Sequence, residues 1–275
     1  MNTIHRCKPL LGTFVEISIT ADESGSELIS LSKTMFDEIQ SVQAKMSFHD
    51  TSSELNHINQ YAHKKPIEMS EHMAIVIKHA LSLSQSTQGD YDISVAKQLV
   101  KQGKLPDYNF THSHQSDWQD IVIDNNHIYF KQPMLLDLGG IAKGFAVDRA
   151  IEVTNKQYDV TVNAGGDLRM TQWRNKQIPI RVPYSASGET VTIEMQAPAL
   201  ATSGQYFNHG HIVSPEQKNI WVDSDLSISI FADSCMVADS LTKVSILHDK
   251  SEAIISAFNA HEVKLNRNGK IQPAI

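Results

Sequence analysis

Phosphate chemistry needs positive charge and free backbone N–H groups close together, and several glycine-bearing segments of this chain offer both. Leu135-Leu136-Asp137-Leu138-Gly139-Gly140-Ile141-Ala142-Lys143-Gly144 runs an apolar stretch into two glycines and then into a helical pattern. Glycine lets a ligand approach the backbone closely. A helix N-terminus adds unpaired N–H groups and the positive end of a dipole, which suits phosphate. Lys143, one turn in, supplies a point charge. A tight turn with a solvated lysine explains the same pattern and is the simpler reading of this segment alone. The spacing GGxxxG is not the dinucleotide-binding GxGxxG.

Asn163-Ala164-Gly165-Gly166-Asp167-Leu168-Arg169 repeats the theme after the apolar Val160-Thr161-Val162. A plain turn is again the simpler account. Ala201-Thr202-Ser203-Gly204 brings small hydroxyls and a glycine that can cradle phosphate. His209-Gly210-His211-Ile212-Val213-Ser214-Pro215 follows, with His211 set before an apolar pair and a proline. A surface or core histidine is the simpler reading of that position, and the HxH pair has no evident third metal ligand. In residues 232–244, Asp239 and Lys243 stand one helical turn apart and share a face. A surface salt bridge is the plain reading, yet Val237, Ala238, Leu241 and Val244 around them are apolar, which draws Asp239 inward. Cys235 reads as a small buried hydrophobe, because nothing near it in sequence would lower its pKa.

Elements must position these residues. Alternation over Phe14 to Thr20 puts Val15, Ile17 and Ile19 on one face of a strand. Leu28, Leu31, Met35, Ile39 and Val42 make one apolar stripe, so a helix is expected over residues 26–44. A second helix over 70–84 has Ser70 as its cap and Gly89 beyond its end. Residues 103–120 are polar and read as an exposed loop. Residues 121–130 read as a hairpin turned at Asn125-Asn126. Leu135 to Leu138 is expected to be a strand, followed by a helix to about Thr154. Residues 191–195 and 226–231 alternate as strands, and a helix covers 234–247. Asn268-Gly269 marks a hairpin over 263–271. The mixture lacks a βαβ rhythm, so the class is α+β.

Composition sets bounds. The chain has 275 residues, 41% hydrophobic and 20% charged, as an ordinary globular protein does. A net charge of -7 argues against nucleic-acid binding, which needs a basic face. Two cysteines, Cys7 and Cys235, are too few for a disulfide framework and form no CxxC pair. No segment reaches the ~20 apolar residues that span a bilayer. The sequence as it stands carries no apolar leader, which reads as cytoplasmic.

In order and identity together, these segments resemble the FAD:protein FMN transferase family, also labelled the ApbE or thiamine biosynthesis lipoprotein family. The resemblance runs from Leu11-Gly12-Thr13 to the Asp239 helix. It includes Ser53-Glu54-Leu55 with Asn59, and Asp90-Tyr91-Asp92-Ile93-Ser94-Val95. Its most specific parts are DLGGIAKGFAVD (137–148), NAGGDLR (163–169), ATSG (201–204), HIVSP (211–215) and the CMVADSLTKV helix (235–244). It implies an α+β fold related to the T-fold, with two intimate subdomains and FAD in the cleft, over residues 1–275 as one domain. The implied reaction moves FMN from FAD onto a threonine or serine of an acceptor flavoprotein and releases AMP, with Mg²⁺ as helper. Some resembling proteins hydrolyse FAD instead.

The resemblance also implies roles. Leu11 falls where a methionine often contacts the flavin, and His49 where an aromatic residue often does. Asp90, Tyr91, Asp92, Asp137, Lys143, Thr202, Ser203 and His211 fall on FAD-binding positions. His211 and Asp239 fall on catalytic positions, His211 as the group that takes the acceptor hydroxyl's proton. Gly140, through its carbonyl, and Asp239 fall on metal ligands, and Thr242, one residue before Lys243, offers a further hydroxyl for the metal although it points about 100° away around the helix. Two positions depart from the pattern. Lys243 replaces a threonine whose hydroxyl helps hold the metal, and an ammonium has no lone pair for a cation. Ser214 replaces an aspartate. Both changes make the site less attractive to a cation, which keeps open a flavin-binding protein with lost or altered catalysis.

Overall fold

A strand with one buried face must alternate its side chains, and the second strand of this protein does so: Val15, Ile17, Ile19 and Ala21 are buried while Phe14 and Glu16 are exposed. The computed structural model describes residues 1–113, 115–204, 212 and 226–272. Among them the strands are β1 (Asn2–Leu10), β2 (Thr13–Ala21), β3 (Ile67–Glu68), β4 (Ile121–Asp124), β5 (His127–Phe130), β6 (Asp159–Ala164), β7 (Asp167–Met170), β8 (Gln177–Arg181), β9 (Thr190–Glu194), β10 (Ala199–Ser203), β11 (Leu226–Ala232), β12 (His261–Asn266) and β13 (Ile271–Gln272). The helices are α1 (Gly25–Met46), α2 (Glu54–Tyr61), α3 (Glu71–Ser86), α4 (Ala96–Lys101), α5 (Ala142–Glu152), α6 (Cys235–Leu247) and α7 (Ser251–Ala257).

An eight-stranded antiparallel sheet in the order β1-β2-β6-β7-β10-β11-β12-β13 forms the frame. Helices α1, α5 and α6 cover one face: α1 packs on β1, β2 and α5, α5 on α6, and α6 on β10 and β11. Beside them stand α2, α3, α4 and the small sheet β3-β5-β4, joined to the frame through one continuous apolar core. On the opposite face of the sheet, the β8–β9 hairpin packs Ile178, Ile180 and Ile193 against Leu168, Leu200 and Phe231. The architecture is α+β.

Local chemistry explains the element ends. Ser24 and Glu27 form a reciprocal capping box at the start of α1. Ser70 caps α3 and also gives its N–H and O–H to the Glu54 carboxylate at 2.7 and 2.6 Å, which ties α2 to α3. The hairpin at Asn125-Asn126, the strands near 191–195 and 226–231 and the C-terminal hairpin lie where the sequence puts them. Residues 135–138 differ. They are extended but belong to no sheet, because side chains and a loop take their backbone groups: Asn59 spans Leu136 at 2.8 and 3.1 Å, and Asp137 N–H reaches Ile93 O at 2.8 Å. The 103–120 segment is less exposed than its polarity suggests. Ser116 is buried there, and Lys97 donates to Ser116 O at 2.9 Å.

Candidate active site

Two tight turns meet at one end of the sheet. Leu11-Gly12 turns β1 into β2 with φ of 57° and 71°, and Gly165-Gly166 turns β6 into β7 with φ of 64° and 103°. Two-residue hairpin loops favour this left-handed geometry. Glycine adopts it freely, whereas Leu11 holds it against a steric cost, with its N–H bonded to Gln43 Oε1 at 2.5 Å. The tips abut: a Cβ on Gly165 would stand 2.6 Å from Thr13 Oγ1.

Next to these turns α5 crosses α6 at Gly144. A Cβ there would lie 2.3 Å from Cys235 O and 2.9 Å from Asp239 Cβ, so only glycine permits the approach. The crossing brings four charges together. Lys143 Nζ bonds Asp167 Oδ2 and stands 3.7 Å from Asp239 Oδ2. Asp239 Oδ2 accepts the Gly144 N–H at 3.2 Å. Lys243 Nζ bonds Asp239 Oδ1 and donates to Asp239 O at 3.1 Å. The Lys243 stem lies beside Gly140, within 3.5 Å of where a Cβ would stand.

Both carboxylates are buried and both lysines partly so. Burial pushes the Asp239 carboxyl up, but the two ammoniums and the Gly144 N–H outweigh it and hold it below its usual range. Burial and the Asp239 charge push Asp167 up. Burial alone would lower Lys143, yet Asp167 and Asp239 raise it above the lysine range, so its charge is secure. Burial, then Asp239, Asp137 and Asp92, raise the Tyr91 phenol, which stays neutral. Burial likewise raises Asp137, against the Gly139 N–H at 3.0 Å and the nearby His49. His49 is exposed at this rim, its carbonyl bonded by Tyr108 Oη at 2.9 Å.

The structure therefore gathers Lys143, Asp239, Gly140, Tyr91, Asp137 and His49, with Leu11 at the adjoining turn. It turns other predicted residues elsewhere. Asp92 caps a short turn through Ser94 N–H at 2.7 Å and Trp118 N–H at 3.3 Å. Asp90 pairs with His248 Nδ1 at 2.8 Å. Thr202 lies on the opposite sheet face, bonded to Ser229 Oγ at 2.9 Å, because alternation along β10 sends it away from Ser203. Ser203 meets Thr242 Oγ1 at 2.8 Å, and Thr242 also donates to Asp239 O at 2.7 Å, so that hydroxyl is spent between sheet and helix. His211 and Ser214 lie outside the described residues.

Two positioning residues escaped the sequence reading. Asp167 is the direct partner of Lys143, 24 residues away. Asp148 accepts the N–H groups of Cys235 and Met236 and Nη1 of Arg169, each at 2.8 Å, and so fixes the start of α6. The only sequence signal was their place in the two glycine motifs.

The residues at Asp239 do not fit a divalent cation. One carboxylate oxygen is bonded to an ammonium, the other to a backbone N–H, and Mg²⁺ needs free oxygen ligands. Among the described residues no group of three His, Cys, Asp or Glu is arranged to hold a metal.

Helices on one face of an antiparallel sheet, with buried lysine–aspartate pairs and glycine turns gathered at one end, define an α+β protein. The ApbE family model matches residues 11–264, and the chain belongs to the ApbE family. A FAD:protein FMN transferase of Vibrio cholerae is 27% identical over 86% of this chain and 79% of its own length. One from Haemophilus influenzae is 27% identical over 82% and 72%. The solved flavin transferase ApbE from Vibrio cholerae shares the fold with a TM-score of 0.80 at 24% identity, over 98% of this chain and 96% of that one. The ApbE protein of Thermotoga maritima does so with a TM-score of 0.81 at 22% identity, over 99% and 97%.

Proposed function

We propose that this protein transfers FMN from FAD onto a serine or threonine hydroxyl of an acceptor flavoprotein and releases AMP. The relatives' activity supports the reading, and one observation carries it: Lys143 and Lys243 converge beside the α5 N-terminus and the two hairpin tips. That arrangement suits a pyrophosphate, whose charge must be neutralised before its bridge can break.

The hydroxyl oxygen attacks the FMN phosphorus and forms the new P–O bond. The bridging P–O bond breaks, and its electron pair leaves with the AMP phosphate. The hydroxyl proton passes to a base, for which the sequence offers His211. Nothing is oxidised or reduced. Lys143 and Lys243 hold the phosphates, and the neutral Tyr91 phenol can donate without repelling them. The apolar Leu11 tip is placed to meet the flavin ring.

The test mixes protein, FAD and a peptide carrying an acceptor threonine. The expected outcome is covalent flavin fluorescence on the peptide with equal release of AMP. Lys143→Met should slow transfer by about 100-fold, as loss of one oriented charge donor does. Free FMN and AMP without labelled peptide would indicate hydrolysis, and intact bound FAD would leave a flavin-binding protein.

A further inference from the structure

We propose that Lys243 is a built-in cation that takes the place of a divalent metal, so that this chain handles the FAD pyrophosphate without one. The proposal rests on the FMN-transfer reading for its substrate, but its geometry is independent of it.

The first support is the disposition of charge. Asp167 and Asp239 are the carboxylates at the centre, and each is bonded to an ammonium, Lys143 or Lys243. Each of these two carboxylates is thus matched by one ammonium and is not left free to draw in a cation. A divalent ion at Asp239 would have to displace Lys243 and would then face Lys143, already 3.7 Å from Oδ2. The second support is that Lys243 is fixed. Its side chain is only 12% exposed, and its stem lies along Gly140. A solvated surface lysine has neither property. The third is donor count. An ammonium has three N–H groups. Asp239 Oδ1 and O take two of them among the described residues. The third can donate to a phosphate oxygen beside Gly140.

Asp239 then acts as a positioning residue. It aims Lys243, with Gly144 N–H and Lys143 aligning the carboxylate in turn. In the transfer step Lys243 donates to the phosphate oxygens as the P–O bond to AMP breaks and negative charge gathers on the leaving phosphate. No proton leaves Lys243 and no electron changes hands.

The experiment follows Mn²⁺ by the loss of its free paramagnetic signal, on the full chain with and without FAD, beside FMN transfer in chelator or Mg²⁺. For the unaltered protein we expect no Mn²⁺ bound beyond what FAD alone binds, and the same transfer rate in chelator and in Mg²⁺. Lys243→Thr removes the ammonium and adds a hydroxyl next to Asp239; it should bind Mn²⁺. Lys243→Met should slow transfer in chelator by about 100-fold, and Lys243→Arg should restore most of it. The proposal is overturned if the unaltered chain binds Mn²⁺, if its transfer stops in chelator and returns with Mg²⁺, or if Lys243→Thr stays blind to Mn²⁺. If the unaltered chain transfers no FMN under any condition, the functional reading fails, and the Mn²⁺ measurement alone decides the place of Lys243.

Discussion

The α5–α6 crossing holds two buried charge clusters that look alike in composition and differ in purpose. Around Asp148 the bonds close inward: two N–H groups of α6 and the Arg169 guanidinium meet on one carboxylate. Around Asp239, a comparable carboxylate is bonded to one ammonium and faces another, and both lysines retain exposure, 34% for Lys143 and 12% for Lys243. Burial pushes Asp148 up despite its donors, while the two ammoniums hold Asp239 down. The first cluster fastens a helix. The second keeps two partly exposed ammoniums oriented, which is what the proposed anionic substrate requires.

The comparison can be broken most forcefully at Asp148. Asp148→Asn leaves the partly buried Arg169 without its ion pair and weakens the α6 cap, at a cost of about 3 kcal/mol. Chemical denaturation should show that loss, while the folded fraction keeps its affinity for FAD. A stability unchanged from the parent would remove the structural assignment of this cluster.

Gly144→Ala strikes both clusters at once. Alanine normally favours a helix interior. Here its methyl would meet the Cys235 carbonyl at 2.3 Å, so α5 and α6 must separate, at about 1–3 kcal/mol. FAD affinity should fall together with Tm, because Gly144 N–H and Asp239 part. Loss of stability with FAD affinity intact would show that the crossing does not set the second cluster.

The smallest effect comes from the back of α6. His79 Nε2 meets Ser240 Oγ at 3.1 Å, away from the charges, and burial pushes the imidazole down to about 4 from 6.5. Between those values the unfolded chain binds a proton that the native one refuses. Stability is therefore complete above pH 6.5 and falls as pH drops toward 4, by about 1 kcal/mol per pH unit. His79→Gln should flatten that slope in urea titrations from pH 7 to 4 and leave FMN transfer at pH 7 untouched. An unchanged slope would assign the acid sensitivity to another group.

Periodicity made much of the frame legible. The Val15, Ile17, Ile19 alternation, the α1 stripe and the Asn268-Gly269 turn are local patterns, and local patterns survive into the fold. β1 was missed because only one face of it meets the core and Arg6 and Lys8 lie on that side, stacked over Phe36. The 135–138 stretch was read as a strand because apolar runs do not reveal who accepts their backbone hydrogen bonds.

For the site, the sequence by itself determined the ingredients: the glycine turns, Lys143, Asp239 and an ammonium at position 243. It also determined the Asp239–Lys243 contact, since one helical turn fixes that spacing. Only tertiary structure decided that Asp167 faces Lys143, that Asp148 and Arg169 serve α6, and that Thr202 turns away from the cluster. Those pairings span 21 to 88 residues or depend on which face a strand presents, and neither is written in local spacing. The lysine cluster depends in addition on Gly144, where two helices come close enough for a lysine to hold charge that water would otherwise screen.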